Sequence, residues 1–310
     1  MEHCKENKFV SAVVYMYNDE KYITTFIENL DKMLSDNFNK YEIVIVNDKS
    51  KDKGLDFIKK YADNKKESTI SVINMSHHQG LESSMNAGND FAIGDFVFEF
   101  DSVYVDYEWD VLMDVYNYAL TGYDIVSASV DKKSGFFSRW YYRIFNYYAN
   151  FENALGQETF RMLSRRAINR IKSITQTIPY RKAAYANCGL KISVLKYKCN
   201  HKIKKSYYNQ NVNRMNLALD TLVLFTDIAY RITIILSIVM MLITIGVAVF
   251  ALFYKLTNNP VEGWTTTILF LAFGFFGLFL ILSMIIKYLA ILVKLNFNKK
   301  EYLFESIEKL

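Results

Sequence analysis

Proline and cysteine are scarce in this 310-residue chain, which has two prolines (Pro179 and Pro260) and three cysteines (Cys4, Cys188 and Cys199). Three widely spaced thiols cannot build a disulfide framework and match no metal knuckle, so reduced thiols in a cytosolic domain are expected. Glycine is low as well, at 12 residues, and with so little proline this excludes collagen-like arrays and low-complexity disorder. A strong charge excess is also missing, since Lys plus Arg (37) exceeds Asp plus Glu (32) by only 5. That balance is too mild to argue for nucleic acid and is compatible with a surface facing anionic lipid. What is plentiful is apolar: 51% of residues are hydrophobic. A mass of 36.2 kDa leaves room for one large domain, or two small ones, with appendages.

Charge is absent altogether from two runs of 22 residues, 232–253 and 265–286. A helix of that length rises about 33 Å, against roughly 30 Å of bilayer hydrocarbon, so each run is expected to span a membrane. Trp264 stands at one end of the second run, and Lys287 and Tyr288 at the other, the aromatic and cationic anchors of an interface. The linker Tyr254 to Gly263 is short and holds only Lys255 and Glu262, whereas Arg214, Arg231, Lys287, Lys294, Lys299 and Lys300 flank the pair. The expectation is a hairpin with both ends cytosolic. Met1 to Asn7 carries charges and no apolar core, so no signal peptide is expected to move the first 200 or so residues outward.

Ahead of these runs, short β-branched and aromatic stretches alternate with helical spacing. Phe9 to Tyr17, Tyr41 to Val46, Thr69 to Met75, Asp95 to Phe100 and Tyr123 to Ser129 read as strands. Ile23, Phe26, Ile27 and Leu30, then Gly80 to Ala92 and Glu108 to Leu120, read as helices. This alternation predicts an α/β domain with a mostly parallel sheet, whose ligands gather where strands end at their carboxyl tips. Those tips read Tyr17-Asn18-Asp19-Glu20, Asn47-Asp48-Lys49-Ser50 and Asp101-Ser102. One acidic turn alone is a helix cap as readily as a site; three at one sheet edge point to a site.

Val13 to Glu20, Ile45 to Asp52, Gly94-Asp95 through Asp101, and Phe160-Arg161-Met162-Leu163-Ser164-Arg165-Arg166 resemble the GT-A glycosyltransferases of family 2. The likeness extends to Val261 to Thr266 and the tail after Tyr288, which resemble the polyprenyl-phosphate sugar transferases within that family. The resemblance implies a Rossmann-like GT-A domain over 1–205, a juxtamembrane amphipathic helix over 206–231, a transmembrane hairpin over 232–287 and a cytosolic tail over 288–310. It implies inverting transfer of a sugar from a nucleotide diphosphate sugar, UDP-linked, to polyprenyl (undecaprenyl) phosphate at the cytosolic leaflet of the plasma membrane. By the same resemblance, Tyr17, Asn18, Glu20, Asp48 and Ser102 bind the nucleotide sugar, and Asp101, Arg161 and Arg165 are catalytic. A carboxylate at Asp48 suits imide N–H or sugar O–H donors, and guanidinium forks at Arg161 and Arg165 suit phosphate oxygens, with solvated surface as their other reading.

The chain departs from the family pattern at the metal motif. Asp-x-Asp followed by Gln or Asp reads Asp101-Ser102-Val103-Tyr104-Val105-Asp106. Mg²⁺ or Mn²⁺ would then rest on Asp101, with Glu99 from the same strand face or Asp106 beyond the loop as a second ligand. Thr159 stands where relatives carry an aspartate, His77-His78-Gln79-Gly80 replaces Arg-Asn-Phe-Gly, and no Ser-Lys-Tyr precedes the juxtamembrane helix. These losses support a second reading, a catalytically degenerate membrane scaffold or regulatory partner in glycan assembly. Two further stretches read as interfacial. Phe136 to Phe151 places Trp140, Ile144, Tyr147 and Phe151 at helical spacing beside Arg139 and Arg143, with packing on the sheet as the alternative; Val212 to Tyr230 follows the lysines of Lys196 to Lys205. Membrane lipid is thus an expected partner, nucleic acid is not, and self-association is left open.

Overall fold

A computed structural model describes residues 5–65, 69–131, 158–174, 180–199 and 302–310, with single helical positions between 235 and 292. Two units are distinguished: one comprises Met1–Asn146, Phe151–Asn211 and Asn298–Leu310, the other Tyr147–Asn150 and Val212–Phe297.

In the first unit, eight strands form one sheet: β1 (Glu6–Met16), β2 (Phe38–Asn47), β3 (Ile70–Met75), β4 (Phe96–Phe100), β5 (Ile125–Val130), β6 (Phe160–Ser164), β7 (Ile192–Tyr197) and β8 (Phe304–Lys309). Their order is β7-β5-β6-β4-β1-β2-β3-β8. The central pairs β1/β2, β1/β4 and β2/β3, and the outer pair β5/β7, are parallel. β6 runs antiparallel to β4 and β5, and β8 antiparallel to β3. The helices are α1 (Ile23–Asn37), α2 (Gly54–Asp63), α3 (Leu81–Phe91), α4 (Val111–Leu120), α5 (Arg165–Ile174) and α6 (Arg181–Ala186).

Alternation along β1 shows why its sequence is an unbroken apolar run. Ala12, Val14 and Met16 face a core shared with α1, α2 and α4, while Val13 and Tyr15 face a second core that includes residues of α3, α5 and α6. A strand covered on both faces needs no polar alternation. α1 commits Ile23, Phe26, Ile27, Leu30 and Leu34 to the first core, the spacing of one helical stripe. α3 lies so close to the sheet that a Cβ on Gly88 would come 2.3 Å from Val13 Cγ1 and 2.8 Å from Val46 Cγ2.

β8 is the main difference from the sequence pattern, which placed residues 302–310 in a tail. Its exposed, charge-bearing residues show no buried stripe, so no periodicity announces it. The edge of β3 supplies its partner: Ile73 pairs with Ile307 and Asn74 with Ser306. Asn74 Nδ2 also donates to Ser306 Oγ (3.0 Å) and Glu308 Oε1 (2.9 Å). An exposed edge strand is thereby covered.

The second unit is described only at separated helical positions. Among them Leu278, Leu282, Ile285, Leu289 and Leu292 are exposed and share one helical face by spacing. Among the described residues no helix is long and apolar enough to cross a membrane. Most of the runs 232–253 and 265–286, and the stretches Phe136 to Phe151, Val212 to Tyr230 and 200–205, lie outside the described residues.

Gly88→Ala is expected to destabilise the first unit by about 1–3 kcal/mol through overpacking against β1 and β2, although alanine is the better helix former by about 1 kcal/mol. Denaturant unfolding monitored by circular dichroism measures the sign; an unchanged or higher midpoint would show that α3 can retreat from the sheet.

Candidate active site

Three parallel neighbours, β2, β1 and β4, end on one edge of the sheet and carry the three polar tips there. The first two tips are laced together. Asn18 accepts from Lys51 N through Oδ1 (2.8 Å), its own N–H donates to Ser50 Oγ (3.1 Å), and Glu20 N–H donates to Asp52 Oδ2 (2.8 Å). Glu20 Oε2 in turn accepts from Lys53 N (3.2 Å). Asn18 and Lys49 both adopt left-handed backbone, with φ of 56° and 59°, a cost that a tightly determined loop can hold. Asn18 and Glu20 therefore hold one loop to the other as a wall at this sheet edge.

Asp48 lies beneath this wall and is fully buried. Its Oδ1 accepts from Gln79 N (2.7 Å), and its Oδ2 from Gly80 N (2.9 Å) and the Tyr15 hydroxyl (3.0 Å). His78 Nδ1 is 2.8 Å from the same Oδ2. Gly80 leads into α3 with φ of 88°, backbone that glycine adopts freely, and this turns two N–H groups toward the carboxylate. An anion at a helix N-terminus is favoured by free N–H groups and by the helix dipole. Burial, reinforced by the adjacent Asp48 charge, pushes the Tyr15 hydroxyl well above its ordinary range, so it stays a hydrogen-bond donor. His78, 42% exposed in its side chain, stacks on Tyr17 with ring centroids 4.1 Å apart. His78, exposed and just ahead of α3, thus joins Tyr17 and Asp48 at this sheet edge. The 76–80 loop is held in turn by the start of the β8 segment: Leu303 N donates to Gln79 Oε1 (2.9 Å), and Leu303 O accepts from Ser76 N (3.1 Å) and Gln79 Nε2 (2.5 Å).

The third tip is an ion cluster between the sheet and the α3/α6 side. Antiparallel register sets Glu99 of β4 opposite Arg161 of β6. Arg161 Nη1 donates to Glu99 Oε2 (3.0 Å) and Nη2 to Asp101 Oδ2 (2.8 Å). Arg181, from α6, reaches Asp101 Oδ1 through Nη2 (2.6 Å), Glu82 Oε2 through Nε (2.9 Å) and Glu99 Oε1 through Nη1 (3.1 Å). Tyr185 OH (2.6 Å) and Asn89 Nδ2 complete the shell of Glu99. Both arginine side chains are only 1% exposed. Burial opposes the charge on Asp101, but Arg161 and Arg181, with Lys182 beyond, outweigh it and hold the carboxyl far below the ordinary range. Burial likewise opposes charge on both guanidiniums, and Asp101 and Glu99 overcome it. Arg181 was missed in the sequence because nothing in its local pattern marks it; only the fold brings 181 to 101.

Arg165 is corrected by this geometry. It bonds the carbonyls of Gly94 (3.0 Å) and Ala92 (2.7 Å) at the end of α3, near the amino end of β4. The reason is strand direction: β6 leaves the site edge at Phe160 and arrives at the opposite edge by Ser164, which separates Arg161 from Arg165 by the length of a strand. Arg165 is a carbonyl cap. Ser102 accepts from Tyr104 N (3.2 Å) and shapes the turn after Asp101.

The donor set for a divalent cation does not fit. Each oxygen of Asp101 accepts from a buried guanidinium, whose positive charge opposes a cation there, and Glu99 is enclosed. Asp106 accepts from the Tyr197 hydroxyl (2.6 Å), which also meets Thr159 Oγ1 (2.5 Å). Val103, at the position of the second motif aspartate, is 3% exposed and sits in the apolar core. Among the described residues no group of three His, Cys, Asp or Glu side chains is placed to hold a metal ion.

A sequence model of glycosyl transferase family 2 matches residues 11–190. The chain belongs to that family. It is 28% identical over 187 residues to the uncharacterized glycosyltransferase sll0501 of Synechocystis, covering 58% of each chain. It is 25% identical over 229 residues to the prophage bactoprenol glucosyl transferase homolog of Escherichia coli, covering 72% of this chain and 74% of that one. Among solved structures it resembles the mannosyltransferase PcManGT of Pyrobaculum calidifontis, in complex with GDP-Man and Mn²⁺, with a TM-score of 0.51, 14% identity, and coverage of 70% of this chain and 63% of that one. That likeness shows the GT-A fold. The chain thus spans less than two thirds of the length of sll0501 and of PcManGT.

Arg161→Met is expected to cost about 3–5 kcal/mol of stability, because Glu99 stays buried with one counter-charge removed; denaturant titration measures it, and a loss below about 1 kcal/mol would show that the cluster reorganises. The stability supplied by the depressed Asp101 carboxyl is present in full above the ordinary carboxylate range, near pH 4, and is lost as pH falls below that range through the depressed native value. Thermal melting across a pH series should therefore show no loss from this group between neutrality and about pH 5. Leu303→Pro removes the N–H that holds Gln79, and should speed hydrogen exchange at the Gln79 and Gly80 amides relative to β1.

Proposed function

We propose that this family 2 chain is a membrane-bound inverting glycosyltransferase. It moves a sugar from a nucleotide diphosphate sugar, UDP-linked, to polyprenyl phosphate at the cytosolic leaflet of the plasma membrane. The observation that carries the reading is the return of β8 into the sheet. Both flanks of 212–297 belong to one folded unit, so they share one side of any membrane that the chain enters. An even number of crossings satisfies this, in agreement with two uncharged runs of spanning length. The exposed apolar face at Leu278, Leu282, Ile285, Leu289 and Leu292 suits lipid contact. The bactoprenol-related Escherichia coli homolog supports a polyprenyl acceptor.

In this reading the nucleoside end of the donor meets Tyr17, Asn18 and the Asp48 region, with Tyr17 and His78 as a stacking surface and the 76–80 loop as its floor. The diphosphate lies toward Asp101 and the sugar toward the acceptor. The acceptor phosphate has a second pKa near about 6, so it is largely a dianion at neutral pH and needs little help from a general base. An aspartate at Thr159 is then dispensable. An oxygen of the acceptor phosphate forms the new bond to the anomeric carbon from the face opposite the leaving nucleoside diphosphate, whose bond to that carbon breaks. The chain's residues orient the two phosphates and shield the carbon from water. Mn²⁺ accompanies the donor in PcManGT, but the residues here do not fit a metal, and no step is assigned to one.

The closed Asp101 carboxylate and the core position of Val103 favour a second reading, a non-catalytic family member that serves as a membrane scaffold or regulatory partner in glycan assembly. Incubating the detergent-solubilised chain with undecaprenyl phosphate and a panel of radiolabelled nucleotide sugars separates the two. Label in the lipid phase from at least one donor is expected. No transfer from any donor, together with no calorimetric binding of UDP or UDP-sugars by folded protein, would establish the scaffold reading.

A further inference from the structure

We infer that Asp101 takes no divalent cation, and that the guanidinium pair Arg161 and Arg181 holds a cation's electrostatic place behind it, so that a nucleoside diphosphate binds independently of metal. The inference rests on the proposed donor site for its ligand, but its metal half stands on the cluster alone.

A magnesium-type ion is bound through one or two carboxylates together with substrate phosphates. Asp101 would have to provide that anchor, yet Oδ1 is bonded to Arg181 at 2.6 Å and Oδ2 to Arg161 at 2.8 Å. Neither guanidinium has another place to go. Arg161 is fixed by Glu99 at 3.0 Å and faces Glu158 at 3.2 Å. Arg181 is fixed by Glu82 at its side chain (2.9 Å) and at its own backbone N–H (3.0 Å). An ion entering at Asp101 would stand beside two buried positive charges; Glu99 is sealed by Arg161, Arg181, Tyr185 and Asn89, and Asp106, half-buried, accepts from the Tyr197 hydroxyl through Oδ1. The position from which a second aspartate would act is Val103, folded into the apolar core.

The same pair solves the problem that a metal solves elsewhere. A bare carboxylate at the mouth of the site would repel a diphosphate. Here its charge is cancelled from the buried side, where a guanidinium fork matches carboxylate geometry and low dielectric strengthens the pairing. The cluster sets Glu82, Glu99, Asp101 and Glu158 against Arg161, Arg181 and Lys182, with Lys182 3.9 Å from Glu158. Three of four negative charges are thus met without an exogenous ion. Arg181 acts on the ligand through Asp101 and is a positioning residue.

Electron paramagnetic resonance of Mn²⁺ with the full-length chain in detergent tests the metal half directly. At millimolar protein the signal of free Mn²⁺ is expected to persist undiminished; stoichiometric loss of that signal, abolished by Asp101→Asn, would overturn the inference whether or not any nucleotide binds. Calorimetry with UDP in EDTA and in Mn²⁺, corrected for Mn²⁺ binding to free UDP, should give affinities within about twofold of each other. Tightening by tenfold or more in Mn²⁺, roughly 1.4 kcal/mol, would also overturn it. Absence of UDP binding in both arms would defeat the proposed donor site and leave the resonance result to decide the metal. Arg181→Gln, verified as folded by circular dichroism, should weaken UDP binding in EDTA about tenfold and make it respond to Mn²⁺. A purely structural arginine would not create that response, so its absence in a folded variant that binds UDP normally would count against the assigned role.

Discussion

Antiparallel pairing of β6 with β4 is the constraint from which the chemistry of this protein follows. Once Phe160 is set opposite Phe100, Arg161 must stand opposite Glu99 and within reach of Asp101 two residues on. Two charges fully removed from water are tolerable only when paired and hydrogen-bonded on every side. The remaining members of the cluster answer most of that demand from three further elements, Arg181 and Tyr185 from α6, Asn89 and Glu82 from α3, and Glu158 just before β6, with Arg161 Nε and Arg181 Nη1 held in ion pairs without a hydrogen bond. The result ties the covering helices to the strand ends by electrostatics where apolar packing alone would leave them free to slide. It also leaves Asp101, 21% exposed at its side chain, paired with two guanidiniums.

The second anchor of the site is Asp48, and its logic differs. Among the described residues no arginine meets it; its charge is spread over two backbone N–H groups at the entry to α3, the Tyr15 hydroxyl and His78. Those backbone groups are aimed by a loop that is itself held by Leu303, at the start of the segment that becomes β8. Residues more than 200 positions apart in sequence therefore share one small structure. Lys49 on the β2 loop reaches Glu305 at 2.5 Å, and Lys59 of α2 reaches Glu308 at 2.6 Å. These exposed pairs add little stability by themselves and are consistent with the register in which β8 lies on β3.

Much of the fold was readable because burial on both faces of a parallel sheet leaves its mark on every residue. The runs around Val13, Ile45 and Phe98, and the stripe Ile23, Phe26, Ile27 and Leu30, mark strands and helix in the sequence itself. β7 and β8 are not announced, since short strands at the margins of a sheet bury less; β6 lies between β4 and β5 and is buried, but its five residues carry Arg161 in their midst and so show no apolar run. Within the site, Asp48 and Asp101 were found from their place at strand ends. The family resemblance implies a catalytic role for both Arg161 and Arg165, and the direction of β6 sends them to opposite edges. His78 and Arg181 carry no local signal; each acquires its role from a neighbour supplied by another element.

Composition and periodicity by themselves determined the α/β alternation, the acidic carboxyl tips and the two uncharged runs, because each is a consequence of local burial or of its absence. The partners of Asp101 were decided only in three dimensions. Whether a carboxylate at a strand end is open to a metal or closed by two guanidiniums depends on strand register and helix placement, and these are set by contacts between residues that are 60 to 80 positions apart.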